Sequence, residues 1–415
     1  MTIEFTLSKR QQETKEAIHA LASMIIRPQS LSWDRSHGIP EDFLLKFTQM
    51  ASSVGTTLAL TQGVSGMAKA TDAAEGGEAG DKKKRSANIN TMIASEEIAW
   101  GDGGLLLGLP GPGLGGPPIR ATGTEEQKER FFKIFADTSK GLKWGAYALT
   151  EPGAGSDVSS IRTRCRKDGK SWVLNGRKCY ITNGGRASWN VVFATVDPAL
   201  GRAGHRAFVV EKGTPGFSVG RIEDKMGLRA SETAELVFEE CRVPEENLLG
   251  GDEKYTSKEG FMTAMKTFDS TRPLVASMAI GIGRAAYEYA RDFVKERYVM
   301  TRPIPRYAAI AERLARIGRQ LEAARLITWR AAWLADSGVP NAKEASMCKA
   351  MAGQAAIRAC IDAIEICGAE GSIAEEHQLL EKWFRDIKVY DIFEGTGQIQ
   401  RIVIAKRLLT DLKSF

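Results

Sequence analysis

Histidine and paired cysteine are what this chain has least of. Four histidines, His19, His37, His205 and His377, lie far apart among 415 residues, with no HExxH pattern and no Cys/His spacing of a zinc site. A metal centre is therefore not expected. Six cysteines, Cys165, Cys179, Cys241, Cys348, Cys360 and Cys367, include no CxxC pair, and a chain of this length builds a large core without covalent staples. They read as reduced, buried small hydrophobes. The apolar stretch 105–114 is short and broken by Gly and Pro, so no membrane span is expected. No charged-then-apolar leader pattern opens the sequence, which leaves the cytoplasm as the default setting. Charge of one sign is scarce too: 57 Lys plus Arg against 51 Asp plus Glu leave a formal +6. That excess suits an anionic small molecule and is too dilute for a nucleic-acid stripe.

What is present, 43% hydrophobic, 26% charged and 8% aromatic residues, is the make-up of a soluble globular protein of two or three domains. The periodicity changes twice along the chain. From Thr6 to about Trp100 it is helical, with Ala17, Ile18, Leu21, Ala22 and Ile25 at three- and four-residue spacing and Phe43, Leu44 and Phe47 repeating the theme. The segment 63–85 interrupts it, poor in large apolar residues and ending in Asp81, Lys82, Lys83, Lys84 and Arg85; it reads as a solvated loop.

Between about Trp144 and Glu253 the period is two. Trp172, Val173 and Leu174 precede Asn175-Gly176, the signature of a hairpin whose return strand would run through 179–182. Further strands are expected over 191–196, 207–210, 217–222 and 234–238. Strands that do not alternate with helices point to a compact β-barrel or sandwich and away from a doubly wound nucleotide fold. From Glu259 onward helical patterns return, one of them marked by Leu314, Ile317, Leu321 and Thr328 and stopped by Gly338 and Pro340.

Three segments carry chemistry. The run 147–157, Tyr-Ala-Leu-Thr-Glu-Pro-Gly-Ala-Gly-Ser-Asp, joins a strand end to small residues that let backbone approach a flat or anionic ligand; by itself it is equally a Gly-rich turn. It matches neither GxGxxG nor a P-loop. The run 180–185, Tyr-Ile-Thr-Asn-Gly-Gly, reads as a site or as a hairpin end. The run 390–401 sets one carboxylate, Glu394, among apolar residues at a Gly break, and buried carboxylates are enriched at active sites without being confined to them.

In this order and spacing, with Phe268-Asp-Ser-Thr-Arg-Pro273 and Trp383-Phe-Arg-Asp386 beside them, the three segments resemble the acyl-CoA dehydrogenase family. The resemblance covers nearly the whole chain and weakens only through 63–118. It implies an α+β fold, mostly α: an N-terminal helical domain over 1–140, a central β-barrel or sandwich domain over 141–255 and a C-terminal four-helix bundle over 256–415. It implies FAD as cofactor, held by Tyr147, Leu149, Thr150, Gly155 and Ser156 on one side, Tyr180 and Thr182 on the other, and Arg297, Thr396 and Gln398 from the bundle. It implies an acyl-CoA thioester as substrate, contacted by Ser156, Asp269, Arg272 and Gly395. Arg272 is the strongest of these, because a permanent cation suits phosphates; an ion pair with Asp269 within the helix stays open beside that role.

The implied reaction is α,β-dehydrogenation, with electrons passed to electron-transferring flavoprotein. Glu394 is the implied base, since a weakly acidic α-hydrogen demands a buried, fixed carboxylate, and its own backbone N–H would stabilise the developing enolate. Other branches of the family carry the base at the position of Thr271, so Glu394 with Thr271 points to the short- and medium-chain type. The acyl group itself stays open.

Departures from the family pattern suggest how the chain assembles. Tyr180 replaces a Trp, Met300-Thr301 a Phe-Gly, and Ala308 and Glu365 two Gln. The last three belong, in the family, to the surface that reaches a neighbour's FAD, and a carboxylate at 365 would repel a pyrophosphate unless paired. Two assemblies follow as expectations, a homotetramer or an α2β2 heterotetramer with a paralogue. A flavin oxidase using O2 and a non-catalytic subunit of such a heteromer are the rival functions; the presence of Glu394 argues against the second. Nucleic-acid binding through 82–85 lacks aromatic interleaving.

Overall fold

The computed structural model describes residues 3, 5–53, 87–136, 141–255, 267–373, 375 and 377–412. The inserted segment 63–85, with its basic run, lies outside the described residues. The chain starts on α1 (Lys9–Leu21), where the Ser8 hydroxyl accepts the Gln11 N–H and the Gln11 amide oxygen accepts the Ser8 N–H, a reciprocal cap. A π-turn over Ala22–Ile26 separates α1 from α2 (Arg27–Ser36). That turn corrects the sequence reading. A regular 3.6-residue period puts Ile25 on the buried face, but the wider turn shifts the phase by one residue, so Ile26 is buried and Ile25 is 39% exposed. Helix α3 (Glu41–Ser53) buries Leu44 and Phe47. Helix α4 (Ala87–Gly101) is buried on nearly every face, and α5 (Leu105–Gly108), α6 (Gly116–Thr122) and α7 (Glu125–Lys133) follow.

Seven strands form the central sheet: β1 (Gly145–Ala148), β2 (Arg164–Asp168), β3 (Ser171–Thr182), β4 (Trp189–Thr195), β5 (His205–Glu211), β6 (Phe217–Ile222) and β7 (Thr233–Pro244). Their order is β1-β4-β2-β3-β7-β6, with β5 pairing β4. One face packs Leu174, Val192, Val210, Leu236 and Phe238 together. The other places Val191, Phe193 and Val209 against Ile119 of α6 and Phe131 of α7. The expected hairpin at Asn175-Gly176 is not formed. β3 runs straight through it, because Leu174 and Gly176 both pair with β7, opposite Cys241 and Phe238, and the glycine marks a bulge. A Cβ at Gly176 would stand 2.7 Å from the Cα of Thr163. The true hairpin joins β2 to β3 across Gly169 and Lys170.

Five long helices close the chain: α8 (Thr267–Lys295), α9 (Ala308–Asp336), α10 (Ala342–Cys367), α11 (Gln378–Ile392) and α12 (Gly397–Leu412). Between α8 and α9, β8 (Tyr298–Val299) and β9 (Arg302–Pro303) form a small hairpin. One buried cluster ties all three parts of the chain. The Lys382 ammonium of α11 sits 2.9 Å from Asp102 Oδ2 and 2.5 Å from Asp386 Oδ2. Asp102 also accepts from Ser30 Oγ at 2.6 Å, and Asp386 from the Leu228 N–H at 2.6 Å. The charges are paired and their remaining lone pairs satisfied, the condition under which buried ions are tolerated. The cluster fixes the helix that leads to Glu394.

Candidate active site

Glu394 sits in the turn between α11 and α12, at φ +59°, and Gly395 follows at φ +93°. Side chains at φ above zero are disfavoured, by roughly 1–2 kcal/mol for a residue with a Cβ, so the neighbours must hold this turn. Gln400, wholly buried, donates through Nε2 to the carbonyls of Glu394 (3.3 Å) and Gly395 (3.1 Å). Asp391, also buried, accepts from Gln354 Nε2 at 3.2 Å and pairs with Lys388 at 3.2 Å, while its carbonyl accepts from Lys349 Nζ at 3.0 Å. A Cβ on Gly395 would stand 2.5 Å from Gln400 Nε2, and one on Gly397 2.9 Å from Asp391 Oδ1. The positive φ of Gly395 favours glycine there, and Gly397 packs closely against the Asp391 side chain.

Four side chains from three other elements act on the carboxylate. Thr271 Oγ1 of α8 donates to Glu394 Oε2 at 2.8 Å. Burial pushes the Glu394 carboxyl above the ordinary carboxylate value, opposed by that hydrogen bond and by the charges of Arg272 and Lys349. Lys349 of α10 is itself pulled down to about 8 by burial, against the charges of Asp391 and Glu394. Tyr147 of β1 has its hydroxyl pushed up by burial and by the charge of Glu394. The strand motif and the C-terminal motif, more than two hundred residues apart, thus meet electrostatically. The arrangement is a desolvated base of raised basicity held between a hydroxyl donor and two cations.

The other half of the site is the paired ends of β1 and β3. The Cys179 N–H donates to the Thr150 carbonyl at 3.0 Å. Beneath that contact the buried Lys178 ammonium donates to the Leu149 carbonyl at 3.0 Å and to Glu151 Oε1 at 2.7 Å. Glu151 in turn accepts the backbone N–H groups of Arg162 and Thr163 at 2.6 and 2.9 Å. Lys178 and Glu151 were not legible as site residues, since Lys178, between Arg177 and Cys179, carries no local sign of burial. Beside this platform Tyr180 stands at φ +59° where β3 bulges, its ring 65% exposed. The Thr150 and Thr182 hydroxyls are half-buried and make no hydrogen bond within the described residues. Gly153 and Gly155 face open space. An exposed aromatic face, two unspent hydroxyls and a side-chain-free approach fit a flat, polar-edged ring system.

Not every residue implied by resemblance gathers here. Arg297 lies beyond the far end of α8, roughly 35 Å from Thr271 by helix rise; its guanidinium pairs with Glu370 and lies 4.6 Å from the centre of the Phe293 ring. Thr396 Oγ1 accepts the Ile399 N–H at 3.3 Å and so caps α12, and Gln398 is exposed on that helix. Ser156 is exposed in the loop that follows β1. Arg272 Nη1 is 3.5 Å from Ser346 Oγ. The side chain of Asp269 lies outside the described residues. Glu365 is paired with Arg313. Lys349, Asp391 and Gln400 were missed by the motif reading; Lys349 is the single charge between Glu344 and Arg358, in a stretch rich in small residues, which is a legible sign. Among the described residues no cluster of His, Cys, Asp or Glu is placed to hold a metal ion, and no helix is long and apolar enough to cross a membrane.

Comparison with known proteins matches three models in sequence: acyl-CoA dehydrogenase N-terminal domain over 8–138, middle domain over 146–241 and C-terminal domain over 258–409. The chain belongs to the acyl-CoA dehydrogenase family. It is 41% identical over 324 residues to the mitochondrial short-chain specific acyl-CoA dehydrogenase of Rattus norvegicus, covering 78% of this chain and 76% of that protein. Among solved structures it resembles the butyryl-CoA dehydrogenase of Megasphaera elsdenii, with 33% identity and a TM-score of 0.81 over 98% of this chain and all of that one. It also resembles a glutaryl-CoA dehydrogenase of Mycobacterium smegmatis in complex with FADH2, at 25% identity and a TM-score of 0.79 over 97% of this chain and 95% of that one. The family is flavin-dependent, and the protein is an oxidoreductase of the acyl-CoA dehydrogenase type.

Proposed function

We propose that this acyl-CoA dehydrogenase converts an acyl-CoA thioester to the trans-2-enoyl-CoA, with Glu394 as the base and electrons delivered to electron-transferring flavoprotein. The observation that carries the reading is the Glu394 carboxylate, held in a left-handed turn against Thr271 and within electrostatic reach of Tyr147 on the strand platform. Tyr147, Leu149, Thr150, Gly155, Ser156, Tyr180 and Thr182 would hold FAD, which when bound would supply the hydride acceptor. Glu394 removes the α-hydrogen as a proton, and burial gives it the basicity that task requires. The Glu394 N–H, beside Gly395, faces the thioester oxygen as it gains charge. Arg272, with Ser156 and Asp269, addresses the CoA phosphates.

A panel of acyl-CoAs scored by bleaching of the flavin tests this reading and names the acyl group. In Glu394→Gln the flavin stays bound and bleaching falls by orders of magnitude. Bleaching at the wild-type rate in that variant would end the assignment.

The assembly belongs to the same proposal. Thr396 and Gln398 hold the flavin from the bundle side, while the surface around Arg297, Met300-Thr301, Ala308 and Glu365 reaches a neighbour's flavin in a homotetramer, or a paralogue takes that duty in an α2β2 heterotetramer. The second reading is favoured by one observation, that Arg297 already spends its charge within this chain on Glu370, whereas the pairing of Glu365 with Arg313 removes the repulsion that argued the same way. Bound flavin per subunit in the chain expressed alone decides between them, full occupancy in a homotetramer excluding the heteromer. A cytoplasmic setting is supported by the six free, buried cysteines.

A further inference from the structure

The turn that carries Glu394 is held from two directions. From α10, Lys349 Nζ reaches the carbonyl of Asp391, three residues ahead of Glu394, at 3.0 Å; Lys349 is 1% exposed and Asp391 3%. From α12, the amide of Gln400 forks onto the carbonyls of Glu394 and Gly395. Neither grip has slack: a Cβ on Gly353, one turn beyond Lys349, would stand 3.1 Å from Asp391 Oδ1, and one on Gly395 would collide with Gln400. A lysine so deeply buried is expensive unless its charge is used. Its hydrogen bond goes to a neutral carbonyl, which leaves the charge to act through space on Asp391 and Glu394. The groups acting on the Glu394 carboxyl are Tyr147 from β1, Thr271 and Arg272 from α8 and Lys349 from α10, with Asp391 on the segment leading into the turn.

We propose that Lys349 is a positioning residue for the proton transfer: with Gln400 it clasps the 391–395 turn so that the Glu394 carboxyl stays at Thr271, and its charge keeps that carboxyl ionised once substrate excludes water. The proposal rests on Glu394 being the base. Displacing a base by a fraction of an ångström costs rate without costing affinity, and removing a nearby cation disfavours the carboxylate form.

The test isolates proton removal from oxidation. An acyl-CoA analogue with sulfur in place of the β-carbon offers acidic α-hydrogens and no hydride, so exchange of those hydrogens with D2O reads the base alone. Lys349→Met holoenzyme exchanges at least about tenfold more slowly, binds the analogue within about threefold of wild type, and has its exchange midpoint moved up by about one pH unit. Gln400→Met slows exchange without moving the midpoint, because it removes no charge. The double variant loses less than the product of the two single losses, as expected of two grips on one turn. Wild-type exchange in a flavin-loaded Lys349→Met enzyme overturns the proposal; should that variant not fold, unchanged exchange in Gln400→Met overturns it instead. Exchange that persists in Glu394→Gln strikes the base assignment itself, a separate outcome from failure of the clasp.

Discussion

Thr271 Oγ1 donates a hydrogen bond to Glu394 Oε2 at 2.8 Å, joining the start of α8 to a turn 123 residues away. A hydroxyl can satisfy a carboxylate in this way without neutralising it, so the bond favours the ionised form of the base while burial opposes it. The two influences set the pH at which Glu394 is competent.

Replacing Thr271 by Val keeps the shape and removes the donor. A hydrogen bond to a charged group is worth about 1.5–3 kcal/mol, so on a half-buried residue the loss raises the Glu394 pKa by about one unit. The acid limb of the flavin-bleaching profile then moves to higher pH by that amount, with the plateau rate little changed. A limb that stays in place shows that Thr271 does not bond to the ionised base.

Tyr180 tests the flavin platform. Its ring is 65% exposed, so Tyr180→Ala changes stability by no more than about 0.5 kcal/mol. If that ring covers the flavin, its loss weakens flavin retention and speeds reoxidation of the substrate-reduced enzyme by O2. Tyr180→Trp has the opposite effect. Stopped-flow mixing of reduced enzyme with O2, set against mixing with electron-transferring flavoprotein, also measures where this enzyme stands between dehydrogenase and oxidase; identical O2 rates in all three forms remove Tyr180 from the site.

Glu96 provides a pH signature of folding. Burial raises its pKa, but the cations of Arg325 and Arg284 outweigh that and leave it below the ordinary value of 4.5. Arg325 grips both oxygens at 2.9 Å, and Arg284 approaches at 3.2 Å. A depressed acid contributes stability that is complete above the unfolded value and is lost as pH falls through the folded one. Glu96→Gln removes the anion the two guanidinium groups share, although Arg284 keeps Glu97 and Arg325 keeps Glu322, and costs about 1–3 kcal/mol at neutral pH. Urea midpoints measured from neutral pH downward show the gap between wild type and variant narrowing below about pH 4.5, and a constant gap contradicts the depressed pKa.

How much of this was legible follows from the range over which each signal acts. Strand β6 at 217–222 and the buried stripe of Ile317, Leu321 and Thr328 come from local periodicity, and both are present. Asn175-Gly176 misled because a turn signature is local, whereas bulge or hairpin is decided by which strand pairs with the flanks, here β7 on both sides. Ile25 misled because an inserted π-turn residue leaves no mark in composition. Glu394 was visible as a carboxylate beside a Gly break. The residues that hold it, Lys349, Asp391 and Gln400, were not, since their roles arise only when α10 and α12 close on the same turn.

The loop between β6 and β7 packs against the backbone of α11, the helix that leads to Glu394, and that contact is separately testable. A Cβ at Gly227 would stand 2.4 Å from the carbonyl carbon and oxygen of Arg385 and 2.6 Å from the Asp386 nitrogen, all backbone atoms of α11. Helix backbone cannot retreat as a flexible side chain would, so in Gly227→Ala the loop must move away. That movement stretches the 2.6 Å bond from the Leu228 N–H to Asp386 and leaves a buried carboxylate short of a donor beside Lys382. Overpacking and the unsatisfied carboxylate together cost about 2–5 kcal/mol, and the melting temperature falls accordingly. Gly153→Ala is the control, since nothing lies within 4 Å of its Cβ and its melting temperature is unchanged. Should the two variants melt together, the loop is not locked to α11 at Gly227.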